Sequence, residues 1–146
     1  MKTVQRAVED DERKRAEKLA TSERRVTECE AKLAELENYQ QSYAQQFSAR
    51  AGAGIGGAGL RDFQTFMARL AEAVKQQAHV LQRARVERDS ERQRWQGAAS
   101  RAKAVGGVVK RWQTEEQREI ERREQSESDE RSQRSNNGEL NARGPQ

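Results

Sequence analysis

From Leu60 to Trp112 one set of positions advances by steps of three and four without a break. The set is Leu60, Phe63, Met67, Leu70, Val74, Gln77, Leu81, Ala84, Arg88, Glu91, Trp95, Ala98, Ala102, Val105, Val109 and Trp112, and only Gln77, Arg88 and Glu91 are polar. Such alternation is the heptad signature of a helix that buries one narrow seam against another helix. A second set runs through the first third of the chain: Leu19, Ser22, Val26, Cys29, Leu33, Leu36, Gln40, Tyr43 and Phe47. Backwards it continues as Arg15, Glu12 and Val8, so the seam becomes more polar toward the N-terminus. Between the two sets lies a glycine island, Gly52-Ala53-Gly54-Ile55-Gly56-Gly57-Ala58-Gly59. Glycine is permissive in backbone conformation and weakens helices. The chain is therefore expected to fold back there, bringing the two seams together.

This gives an all-α fold, a long antiparallel two-helix coiled-coil hairpin with a glycine-rich turn. The coiled coil occupies 1–125, with helix one at about 4–50, the turn at 51–59 and helix two at about 60–125. Residues 126–146 carry no seam and are rich in Ser, Glu, Gln, Asn and Arg, which reads as a disordered polar tail.

Composition fits this object. The chain is 36% charged and 33% hydrophobic, with a mean hydropathy of −1.20. A globular core needs apolar content nearer half, whereas a two-helix seam needs about two residues in seven. The one proline is Pro145, so nothing of that kind breaks the helices. No apolar run approaches the roughly 18 residues of a membrane span. The single cysteine, Cys29, excludes an intrachain disulfide and suits a reducing compartment. The N-terminus has no apolar signal core, and a cytoplasmic protein is expected.

A register follows from the turn. If Phe47 meets Leu60, then Tyr43 faces Phe63, Leu36 faces Leu70, Leu33 faces Val74 and Val26 faces Leu81. Polar positions coincide too, Cys29 with Gln77 and Arg15 with Glu91, and such matching makes slips costly. At about 1.5 Å per residue, helix one spans roughly 70 Å and helix two nearer 100 Å. Helix two would overhang its partner, with Gly106-Gly107 as a hinge at the junction.

Charge is uneven. Residues 1–50 hold 10 basic and 10 acidic side chains, 51–112 hold 12 and 5, and 113–146 hold 6 and 9. Helix two is the basic element and could meet nucleic acid, anionic lipid or an acidic protein face. Glu87, Asp89 and Glu91 lie among its arginines and argue against nucleic acid.

No motif supports catalysis. Gly52-x-Gly54-x-x-Gly57 matches a dinucleotide fingerprint in letters, but that signature needs a preceding strand. A turn accounts for the same glycines, with Gly52 closing helix one and Arg50 in its last turn. Cys29 is a small seam residue, His79 sits on the outer face, and one of each cannot build a zinc site. Carboxylates on a solvated helix have nothing to tune them for acid–base work. No enzyme and no cofactor are expected.

Two groups of residues stand out as contact surfaces. Tyr39 and Phe66 each lie one step off the seam and are near neighbours across the pair. With Leu36, Tyr43, Leu70 and Ala73 they form an aromatic-rimmed patch near the turn; a locally widened seam is the alternative reading. Trp112 has no facing residue, and with Lys110 and Arg111 it marks the far end of helix two.

These features resemble the flagellar export protein FliJ family, part of the bacterial flagellar type III export apparatus. The likeness covers almost the whole length. It is carried by Leu36-x-x-Tyr39-x-x-x-Tyr43 before the turn and Phe66-x-x-x-Leu70-x-x-Ala73 after it. Arg94-Trp95, Arg118-x-x-x-x-Arg123-Glu124-Gln125 and Asp129-Glu130 also fit. The resemblance implies a monomeric stalk that inserts its helix termini into the pore of a hexameric export ATPase. Its other end would contact the cytosolic domain of the membrane export gate, and it would bind export chaperones. The gate stripe would be Leu36, Tyr39, Tyr43, Phe66, Leu70 and Ala73; position 77, often polar in the family, is Gln here. The protein would then associate with the inner membrane only peripherally, through the apparatus. The glycine-rich turn is more extreme than the family pattern. The stalk of a virulence-type secretion system and a generic coiled-coil scaffold or tether are the alternatives.

Overall fold

The computed structural model describes residues 2–143 and contains two helices, α1 (Lys2–Ala51) and α2 (Gly57–Ala142). Among the described residues there is no strand. The described residues form two compact units, one of residues 9–99 and one of residues 2–8 with 100–143.

In the larger unit α1 and α2 pack antiparallel as a hairpin. Long runs of Ala, Glu, Gln, Lys and Arg favour the helices intrinsically. Hydroxyls inside them are satisfied locally: Thr21, Thr27 and Thr65 donate to carbonyls four residues back, and Ser22 to that of Leu19. The buried side chains are those of the heptad seam. Val26, Cys29, Leu81 and Ala84 form the central cluster, with Leu33 and Val80 packed against it. Apart from Leu60, every seam position from Val8 to Val109 named from the sequence is buried or half-buried. Leu60 and Trp112, at the two ends of the α2 set, are exposed.

The turn is shorter than 51–59 and works differently. Only residues 52–56 leave the helices, and α2 begins at Gly57. The Ala53 and Gly54 amides donate to the Arg50 and Ala51 carbonyls at 3.0 and 3.3 Å. Gly54, with φ of 87°, carries the left-handed conformation of the turn. The Leu60 amide already donates to Gly56 at 3.1 Å.

The register near the turn differs from the expected one. Phe47 does not meet Leu60; it stacks on Phe63 at 3.7 Å between ring centroids and 9° between planes. Tyr43 accordingly meets Phe66 rather than Phe63. The expected proximity of Cys29 and Gln77 holds: Gln77 Nε2 donates to the Cys29 carbonyl at 3.2 Å. The expected Arg15–Glu91 layer is replaced by pairs within each helix, Arg15 with Asp11 and Glu91 with Arg94. Ion pairs bridge the helices along the seam's flanks, among them Arg85–Glu30, Arg25–Glu87 and Arg92–Glu23, at 3.4–3.9 Å. All six side chains are largely solvated, so each contributes at most about 1 kcal/mol.

In the smaller unit Val109 is buried and Ala102, Val105 and Val108 are half-buried. The helix passes through Gly106-Gly107 without a break. It also continues beyond residue 125 to Ala142, where the sequence reading places a disordered tail. Every residue from Lys110 to Arg143 is exposed, so no tertiary packing holds this stretch. Contacts along the helix take that role: Arg123–Glu119 at 3.1 Å, Gln125–Asp129 at 3.3 Å and Gln117–Glu121 at 3.4 Å, each four residues apart. Such pairs support a helix without a partner. The last three residues of the expected tail, 144–146, lie outside the described residues.

Candidate interaction surface

An array of three aromatic rings lies toward the turn end of the hairpin. Tyr39 and Tyr43, four apart on α1, stack at 5.5 Å and 24°. Tyr43 in turn meets Phe66 of α2 at 4.6 Å and 41°. The three rings thus form a chain across both helices, with Tyr43 as the link. These separations suit aromatic attraction, which adds to simple burial. The outer rings are open to solvent, Tyr39 53% and Phe66 39% exposed.

The structure brings the six residues of the stripe to this end of the larger unit, with unequal access. Leu36, Tyr43 and Ala73 are half-buried, and Leu70 is buried in the seam. Leu70 supports the patch from beneath and presents little of its own surface. Beside Tyr39 a shallow groove of about 650 Å³ runs along α1, lined by Ala34, Asn38, Ser42, Tyr43 and Gln46 among others. Small residues flanking an exposed ring leave room for an incoming chain to lie close to α1.

The other group, Lys110, Arg111 and Trp112, belongs to the smaller unit. All three are exposed, Trp112 by 54%. The Lys110 carbonyl accepts from Thr114 Oγ1 at 2.9 Å, and Arg111 Nε donates to the Gly107 carbonyl at 3.4 Å. The Lys110 ammonium and the Trp112 ring face solvent with one buried residue, Val109, directly before them.

Two features escaped the sequence reading. One is the Phe47–Phe63 stack, which depends on where the chain reverses. The other is the flanking ion pairs, which could have been sought by asking which seam neighbours carry opposite charge. A third feature has no counterpart in the sequence reading: Glu91 Oε2 is buried without a hydrogen-bond partner, while Oε1 accepts from Arg94 at 3.0 Å.

Among the described residues no group of three His, Cys, Asp or Glu side chains could hold a metal ion. No described helix is long and apolar enough to cross a membrane. Neither a curated protein nor a solved structure matches the chain. The family model described as "Flagellar FliJ protein" matches residues 1–140. A helical hairpin with two seams, an aromatic array beside its turn and a match over nearly its full length together place the chain in the flagellar FliJ protein family, components of the flagellar export apparatus.

Proposed function

We propose that the protein is a non-enzymatic coupling stalk of flagellar type III export. It links the export ATPase ring to the cytosolic domain of the membrane export gate and receives export chaperones. The observation that carries this reading is the ring chain Tyr39–Tyr43–Phe66, whose outer members are exposed, on a hairpin with largely charged flanks. Exposed aromatic residues grouped on a polar protein are the usual anchors of protein contacts. Tyr39 and Phe66 are the anchors in this reading, Leu36, Tyr43 and Ala73 the rim, and Leu70 the support. Lys110, Arg111 and Trp112 supply a cationic, aromatic segment of α2 for the polar loops of the ATPase pore.

A pull-down of the gate's cytosolic domain and of the ATPase tests the division. Tyr39→Ala with Phe66→Ala is expected to abolish gate capture and leave ATPase capture intact. Lys110→Glu with Arg111→Glu is expected to do the reverse. Equal loss of both partners by either variant, with helicity unchanged, refutes the assignment of separate ends.

A further inference from the structure

Ten consecutive residues at the hairpin's tip, 51–60, carry no polar side chain: Ala-Gly-Ala-Gly-Ile-Gly-Gly-Ala-Gly-Leu. Turns that face water favour Gly for its backbone freedom and Asn, Asp, Ser and Pro, whose side chains hydrogen-bond the local backbone or preset its angles; this one uses Gly and none of the others. Backbone geometry accounts for part of this composition. Gly54 needs its positive φ, and a Cβ on Gly59 would lie 2.8 Å from Ile55 Cγ2. Gly56 and Gly57 have neither constraint, since a Cβ on either meets nothing within 4 Å and neither has positive φ. Polar residues would fit there, and none is present. Leu60 beside them is 42% exposed.

The charges around this apolar cap are equally one-sided. Between Asn38 and Arg69 the basic residues are Arg50, Arg61 and Arg69, and the one acid is Asp62. Among the described residues none of the three guanidinium groups forms an ion pair, whereas those of Arg25, Arg85 and Arg92 farther along the hairpin do. An apolar tip collared by unpaired arginines complements one surface in both respects. A bilayer bearing anionic headgroups offers phosphates to the arginines and an acyl boundary to Ile55 and Leu60. Ten residues are far too few to span such a bilayer, so contact is confined to its surface.

We infer that the hairpin tip docks directly on anionic phospholipid, with Arg50, Arg61 and Arg69 on the headgroups and Leu60 and Ile55 at the acyl boundary. An acidic peptide could satisfy the arginines but gives no reason for the polar-free cap. The contact needs no other protein, so it stands or falls independently of the gate assignment above. Each arginine contributes roughly five-fold to binding, in a salt-sensitive manner.

Flotation of the full chain with protein-free vesicles tests this. Binding is expected to vesicles containing phosphatidylglycerol and not to pure phosphatidylcholine, and to weaken as salt rises. Arg50→Glu, Arg61→Glu and Arg69→Glu together should abolish it, and Leu60→Asn should weaken it at unchanged charge. Lys110→Glu with Arg111→Glu should leave it intact. Circular dichroism confirms that each variant keeps its helices; all substituted residues are exposed. Failure to bind anionic vesicles, equal binding to neutral ones, or unchanged binding by the triple variant overturns the inference. Binding of soluble polyglutamate as strong as that of the vesicles also overturns it, in favour of an acidic peptide.

Discussion

Glycines in the turn differ in what they do, and substitution separates them. Gly54→Ala forces a Cβ onto a left-handed residue and is expected to cost about 1–2 kcal/mol. Gly59→Ala drives a methyl into Ile55 and should also destabilise. Gly57→Ala meets open space in a helix's first turn and should stabilise by about 0.4–1 kcal/mol, chiefly by restricting the unfolded chain. Urea unfolding followed by circular dichroism measures all three, and a stabilised Gly54→Ala would contradict the turn described. The glycine island was visible as a reversal point in the sequence. Which glycine carries the positive φ was not, because that depends on where two helices stop, and Gly, unlike Pro, leaves that open.

At the scale of the helices, the seam was legible to the residue and the pairing was not. Steps of three and four identify a face from one helix alone. Sliding one helix by three residues keeps both seams buried and merely changes which positions meet. The point at which the chain reverses decides among these registers, and it lies slightly later in the chain than the expected pairing requires, so Phe47 meets Phe63 instead of Leu60. Phe63→Ala should therefore cost about 1–3 kcal/mol, scaled down from a fully buried phenylalanine because Phe63 is half-buried. Leu60→Ala should cost under about 0.5 kcal/mol. A double-mutant cycle on Phe47 and Phe63 should return a coupling of about 0.5–1.5 kcal/mol. Equal costs at Leu60 and Phe63 would restore the register first expected. The stretch beyond residue 125 was missed for a different reason. A seam is what announces a packed helix, and a helix held by its own i,i+4 pairs needs none. Nuclear magnetic resonance on the full chain should show helical Cα shifts across 113–142, with amide exchange much faster than at Val26 or Leu81. Random-coil shifts there would return the segment to disorder.

For the molecule as a whole, the proposal is of a chain that zips onto itself and stays single. Sedimentation equilibrium at micromolar concentration should give a mass near the 16.7 kDa of one chain. Spin labels at Leu33 and Val74, diluted with unlabelled protein, should report a short distance that dilution does not change. A dimeric mass, or coupling that vanishes on dilution, would point to a scaffold formed between chains. The aromatic patch was legible in its members but not in its access. Leu70, counted with the others from its spacing, is covered, and the groove beside Tyr39 depends on the small residues Ala34 and Ser42 that no motif highlighted.

The tightest points of the seam hold short side chains. Ala98 and Ala84 are 1% and 3% exposed, Ser22 is among the most buried polar residues, and no large side chain is fully covered. Tolerance to mutation is therefore inverted relative to a globular core. Truncating a long, half-wet residue leaves a gap that water fills, while enlarging Ala84 or Ala98 wedges the backbones apart. A saturation scan of the hairpin should find its worst substitutions to be leucine and phenylalanine, at the positions that look least important by size.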